Sequence, residues 1–211
     1  ACKEGEIPMK GPKEAILGVT WRCNSKCQIC DIWARKPSTE LLPKDYTTLP
    51  TTLRSISLGG HGEPFLRKDL PEIVKVIRER CPKARIVIVT NGLTPHRILG
   101  LAKKMPKDIS IRVSIDGIGH TNDRVRGVRG AYEKAVRTLF LLRDNGFRDL
   151  GVGLVINAFN EEEVEKVFDF SREHGFSFVS TAIQSSDITF GKKDGLLPHP
   201  EKAIQGIKGV V

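Results

Sequence analysis

Cys23, Cys27 and Cys30 put three of the chain's five cysteines into one short loop, Thr-Trp-Arg-Cys-Asn-Ser-Lys-Cys-Gln-Ile-Cys at residues 20–30. At this spacing a compact loop can turn all three sulfurs toward one inorganic centre. Three thiolates are one short of the closed set that a structural zinc demands. Either a fourth protein ligand completes the site, for which His61 is the nearby candidate, or one metal position is left to something that is not protein. An iron–sulfur cluster with one uncapped iron explains a count of three directly. Cys2 and Cys81 stand alone, and Cys81, at a predicted helix end before Pro82, reads as structural.

Other residue types with chemical capacity follow the ends of predicted strands. Gly59-Gly-His-Gly-Glu-Pro64 is a glycine-rich loop ending in an acid. Glycines permit close backbone approach, and exposed carbonyls with the Glu63 carboxylate suit a ligand's ammonium group. A tight strand-to-helix turn is the plainer use of the same residues. Asn91-Gly92 follows the third predicted strand, Ser114 and Asp116-Gly117 the fourth, Asn157 the fifth and Gln184 the sixth. Ser114 and Asp116 lie two apart and so share a strand face, where they could bond the hydroxyls of a ribose or a substrate. Arg124, Arg126 and Arg129 lie just beyond and could grip a carboxylate in bidentate fashion; a solvated loop is the alternative. His96, His174 and His199 read as surface residues.

The elements that must position these residues alternate regularly. Strands are predicted at Ala15–Thr20, Ser55–Leu58, Arg85–Thr90, Ile109–Ile115, Gly151–Asn157 and Phe176–Ile183. Helices are predicted near Asp69–Arg80, Pro95–Met105, Gly130–Asn145 and Glu161–His174. The last opens on Asn160 followed three residues later by Glu163, a reciprocal capping signal. Gly146 and Gly175 stand where C-terminal caps belong. Ile86-Val-Ile-Val lacks polar alternation, the pattern of a strand covered on both faces in a parallel sheet. Residues 31–53, with Pro37, Pro43 and Pro50, read as a long connection holding one short helix. The tail from Ser185, with Gly191, Gly195, Pro198 and Pro200, is the least patterned region, with a last short helix over Pro200–Ile207.

Strand–helix repetition predicts a parallel α/β fold. Six units fall short of the eight of a closed barrel of about 250 residues, so an open partial barrel of six strands fits, with a doubly wound sheet as the alternative. In either, strand carboxyl ends share one edge, where ligands bind. With 211 residues and 39% hydrophobic content the chain can bury one core and reads as a single domain. Ala1 at the start suggests processing or a piece cut from something longer. An odd cysteine count, three of them crowded, suits metal ligation in a reducing cytoplasm. No apolar run approaches a membrane span. Net charge is +9, but the basic residues are scattered and no aromatics interleave with them, which favours a solvated surface over nucleic acid.

At these residues the chain resembles the radical S-adenosylmethionine (radical SAM) superfamily. The resemblance runs from about Ala15 to Gln184 and rests on the C-x-x-x-C-x-x-C spacing at Cys23, Cys27 and Cys30, with Gly60-His-Gly-Glu63-Pro64 as a variant of the glycine–glycine–glutamate–proline loop. Val89-Thr-Asn-Gly92, Val113-Ser-Ile-Asp-Gly117 and Asp123-Arg-Val-Arg-Gly127 resemble segments of the branch of molybdenum-cofactor, nitrogenase-cofactor and peptide-maturation enzymes. The resemblance implies the partial six-strand barrel and a 4Fe-4S cluster on the three cysteines, its open iron chelated by SAM. It implies Glu63 and the carbonyls around Gly60 and Gly62 for the SAM amino group, Arg126 for its carboxylate, Ser114 and Asn91 for polar contacts, and Ile29 with the Asn157 region for adenine. Ile29 replaces the aromatic often found before the last cysteine. The implied reaction is reductive cleavage of SAM to a deoxyadenosyl radical that abstracts hydrogen from a peptide or small-metabolite substrate, with Asp116 contacting substrate. An external electron donor such as flavodoxin or ferredoxin is implied as well. Two readings compete: a zinc-stabilised RNA-binding module, and a non-catalytic relative acting as a partner protein.

Overall fold

Burial along the strands sets the architecture. In β2 (Ser55–Leu58) and β3 (Arg85–Thr90), Ile56, Leu58, Ile86 and Ile88 are fully buried while Ser57, Val87 and Val89 are only half-buried. One face of the sheet therefore carries the core and the other walls an open trough. This corrects the two-sided burial expected from the unbroken Ile86–Val89 run. Val87 and Val89 are apolar because they line the trough, not because a second helical layer covers them.

The computed structural model describes residues 11–36, 39–185 and 193–208; Cys2, Pro37 and Gly191 lie outside them. β1 (Glu14–Leu17), β2, β3, β4 (Ser110–Ser114), β5 (Leu150–Ile156) and β6 (Ser177–Ala182) form one parallel sheet in chain order. Strictly sequential order is that of an open barrel; a doubly wound sheet would reverse direction at a switch point. The helices are α1 (Leu70–Arg80), α2 (Pro95–Ala102), α3 (His120–Arg126), α4 (Ala131–Asp144), α5 (Val164–Glu173) and α6 (Pro200–Lys208). None among the described residues is long and apolar enough to cross a membrane.

The apolar stripe of α1 (Leu70, Ile73, Val74 and Ile77) is fully buried against the sheet. Phe65 and Phe147 are also wholly enclosed, and burying each stabilises the fold by roughly 1.5–3 kcal/mol. Gly146 and Gly175 take positive φ after α4 and α5, as their cap positions require. The 31–53 connection holds two short 3₁₀ helices, Ile32–Ala34 and Pro43–Thr48, where one helix was expected.

At the amino end of the sheet, Asp149 pairs with Arg85 and Arg112, both at 2.8 Å. Burial would raise the Asp149 carboxyl, but hydrogen bonds from Arg112, Arg85 and Ser110 hold it down at about 2. This lies below the unfolded carboxylate value of about 3.9, so the stabilisation is present above about pH 4 and is lost as pH falls toward 2. Asp149→Asn should cost of order 1 kcal/mol at pH 7 after allowance for solvent screening. Urea unfolding of both proteins at pH 7 and pH 3 should show that gap narrowing; an equal gap would contradict the assignment.

Candidate active site

The cysteine loop leaves the carboxyl end of β1 and is held from three sides. Arg67 is almost fully buried; its Nη1 donates to the carbonyls of Val19 and Leu41, both at 2.9 Å, while its Nε donates to Asp69 at 2.9 Å. Glu40 accepts from Thr20 Oγ1 and from Arg22 Nη2 at 3.0 Å. From the β2 side, the Glu63 amide donates to the Arg22 carbonyl at 2.8 Å. Gly62 makes that approach possible: its φ is +58°, and a Cβ there would come within 2.5 Å of the Arg22 carbonyl. From the third side, the end of α3 supplies carbonyls. Arg126 O accepts from the Lys26 amide at 3.2 Å and from Ser25 Oγ at 2.8 Å, and Val125 O accepts from Gln28 at 2.8 Å. Gly127, at φ +63°, ends α3 where any Cβ would run into the Lys26 carbonyl.

All three loop sulfurs line one cavity of about 330 Å³ at the carboxyl edge of the sheet. Each sits within reach of a polar hydrogen. Asn91 Nδ2 lies 3.9 Å from Cys23 Sγ, the Ile32 amide 3.4 Å from Cys30 Sγ, and both Ser25 Oγ (3.1 Å) and Arg126 Nη1 (3.9 Å) face Cys27 Sγ. Donors of this kind stabilise thiolates bound to a metal. Burial pushes the Cys23 thiol up to about 11, opposed by the Ser25 amide and reinforced by Cys27, Glu63 and Cys30. Burial raises Cys30 as well. Crowded thiols of this kind ionise together when a cation neutralises them. Among the described residues no three His, Cys, Asp or Glu side chains gather around the position of a single ion. His61 packs against Trp21, ring centroids 4.6 Å apart and planes tilted by 43°, and does not line the cavity. The zinc reading thus loses its fourth ligand. The donor set fits a larger centre, held on three sides and open on the fourth.

Ile29, Gly60, Gly62, Glu63, Asn91, Ser114, Arg126 and Gln184 line the same cavity as the cysteines. Glu63 is almost wholly buried, and its carboxylate is largely engaged by the scaffold. Oε1 accepts from the Phe65 amide at 3.0 Å and Thr90 Oγ1 at 2.8 Å, and Oε2 from the Asn91 amide at 2.7 Å. Burial pushes its carboxyl up, and those three donors with Arg126 pull it back. Glu63 therefore ties the β2 loop to the end of β3 and keeps acceptor capacity for little more than one further donor.

Two expected site residues are elsewhere. Asp116 does not face the open trough. It is fully buried, pairs with Arg126 Nη2 at 2.7 Å, and accepts from the Val155 amide at 2.8 Å. The chain leaves strand geometry after Ser114, so the alternation that put both residues on one face ends between them. Asp116 holds Arg126 and is not among the residues that line the cavity. Asn157 is also fully buried, its amide donating to Val155 O at 2.8 Å and its oxygen accepting from Phe159 at 2.9 Å. The cavity wall there is Val155, with Thr181 and Ile183 from the β6 side.

The expected cap of α5 is corrected too. Asn160 Oδ1 accepts from the Asn157 amide at 2.7 Å, and its Nδ2 donates to the Asp116 carbonyl at 2.8 Å. Glu163 accepts from the Ile118 amide at 2.9 Å. Both side chains brace the loop that carries Asp116, and the helix begins only at Val164. Ser25, Arg67 and α3 escaped sequence reading. A serine among cysteines and a lone arginine carry no pattern, and seven residues are too few for a helical period.

The model of the radical SAM superfamily matches residues 18–171. Fe-coproporphyrin III synthase of Methanosarcina barkeri is 35% identical over 167 residues, 75% of this chain and 40% of that protein. Pre-heme d1 synthase of Dinoroseobacter shibae is 30% identical over 178 residues, 78% of this chain and 42% of that protein. The chain thus spans less than half the length of these two relatives. The crystal structure of Streptococcus suis SuiB bound to S-adenosylmethionine superposes with a TM-score of 0.69 at 20% identity, covering 87% of this chain and 44% of SuiB. With its cysteine loop, glycine-rich loop and sequential half-barrel, this chain belongs to the radical SAM superfamily.

Proposed function

We propose that the chain is the SAM-cleaving core of a radical SAM enzyme acting on a small-metabolite or peptide substrate. The observation that carries this is the convergence of three sulfurs, each beside a polar hydrogen, on the cavity that Glu63, Ser114 and Arg126 also line. Cys23, Cys27 and Cys30 would hold a 4Fe-4S cluster. With cluster and SAM bound, the chemistry supplied is one-electron cleavage of SAM to a deoxyadenosyl radical, which takes hydrogen from the substrate. Carbonyls around Gly60 and Gly62, with the spare acceptor capacity of Glu63, receive the SAM amino group. Arg126, aimed by Asp116, takes its carboxylate, and Ser114 and Asn91 supply the polar contacts. Ile29, Val155 and Ile183 give the adenine an apolar wall. Relatives named as synthases of small metabolites and relatives named as peptide maturases support both substrate classes. Electrons come from an external donor such as flavodoxin or ferredoxin, in a reducing cytoplasm where free thiols persist.

The test is iron and sulfide content after anaerobic reconstitution. Wild type should hold one oxygen-labile four-iron cluster, and a variant with Cys23, Cys27 and Cys30 all changed to alanine should hold none. Full iron in the triple variant would overturn the reading.

A further inference from the structure

Gly153 is a glycine for which the fold has no use. It lies inside β5, outside the positive-φ region, and a Cβ there would meet only Val179 Cγ1 at 4.0 Å. Its neighbour Gly151 differs: a Cβ at 151 would stand 2.6 Å from the Ser177 carbonyl and 2.9 Å from Arg112 Cδ, so packing demands glycine there. A strand-interior glycine marks a bulge, a bend, or a place where a ligand or another backbone comes close; the register of β5 runs unbroken through Gly153, so no bulge accounts for it.

The surroundings describe that molecule. Gly153 pairs in register with Ser114 on one side and Val179 on the other, and Val155, two residues further, lines the cavity. The notch thus adjoins the SAM cavity on the trough side. Its β6-side wall is apolar, with Val179 48% exposed and Val155 half-buried, while Ser114 borders it on the β4 side. On β4, Arg112 lies opposite Gly151, and Arg112 and Arg85 share the single carboxylate of Asp149. Two guanidinium groups against one carboxylate leave this triad with a net charge of +1.

We propose that Gly153 is a specificity-determining position. The notch it leaves seats the body of the substrate, an apolar group carrying an anion directed toward Arg112. This rests on the radical SAM reading for what lies above the notch.

The probe is 8-anilinonaphthalene-1-sulfonate, an apolar body with one anionic group, titrated by fluorescence into the reconstituted full chain with saturating SAM. Wild type should bind it saturably. Gly153→Val should weaken binding by about tenfold, equivalent to roughly 1.4 kcal/mol, while the melting temperature and the SAM-dependent spectral change stay as in wild type. Gly153→Ala, whose added methyl meets ordinary contact, should fold as wild type and weaken binding less, which separates filling of the notch from failure to fold. Unchanged probe affinity in Gly153→Val, absence of saturable binding in wild type, or joint loss of probe binding and SAM response would each overturn the proposal. An iron centre that fails to respond to SAM in wild type would instead defeat the radical SAM reading, whatever the probe does.

Discussion

Asp116→Ala should cost about 3–5 kcal/mol of unfolding free energy, the usual penalty for stripping one partner from a buried ion pair. Arg126 would keep a guanidinium in a nearly closed site with no carboxylate at 2.7 Å, and the Val155 amide would lose its acceptor. Replacing the pair together, Asp116→Ala with Arg126→Met, should recover part of that loss, because no uncompensated charge is left behind. Urea unfolding with unchanged slope is the measurement. An Asp116→Ala midpoint equal to wild type, or strictly additive single losses, would show that the pair does not brace this corner. The same variant should bind SAM more weakly, since Arg126 would no longer be aimed into the cavity.

Glu63→Gln should destabilise the chain by about 1–3 kcal/mol even before any cofactor is added, the cost of leaving a buried donor unsatisfied. The carboxylate receives the Phe65 amide, the Thr90 hydroxyl and the Asn91 amide on its two oxygens. A carboxamide has one acceptor oxygen, so in either orientation its NH₂ faces a backbone N–H. Because those contacts fix the β2 loop, SAM affinity should fall as well, by about tenfold or more on the usual conversion. Thermal melting of the metal-free protein and SAM titration of the reconstituted one separate the two effects. Full stability with lost SAM affinity would mean that Glu63 is a ligand contact only.

The carboxyl edge was legible because cysteines, glycines and polar residues recur after each β-branched run, and parallel strands bring those ends together whatever the loops do. Ile29, Asn91 and Ser114 reached the cavity for that reason. Asp116 did not, since the two-residue alternation that predicts a shared face holds only while the strand continues, and β4 ends at Ser114. Asn160 and Glu163 carried a sound helix-start signal, yet the loops bearing Asn157, Asp116 and Ile118 presented stronger partners for their side chains. Tertiary hydrogen bonds outcompeted local ones there. Arg67 was invisible for a related reason: its partners Val19 and Leu41 are backbone carbonyls, which no side-chain pattern announces.

The electron paramagnetic resonance spectrum of the reduced, reconstituted chain, recorded with and without SAM, tests the central claim most directly. Three sulfurs on one cavity beside Glu63, Ser114 and Arg126 should yield a single 4Fe-4S signal whose g values shift when SAM is added. A spectrum indifferent to SAM, or a colourless protein holding zinc, would contradict it.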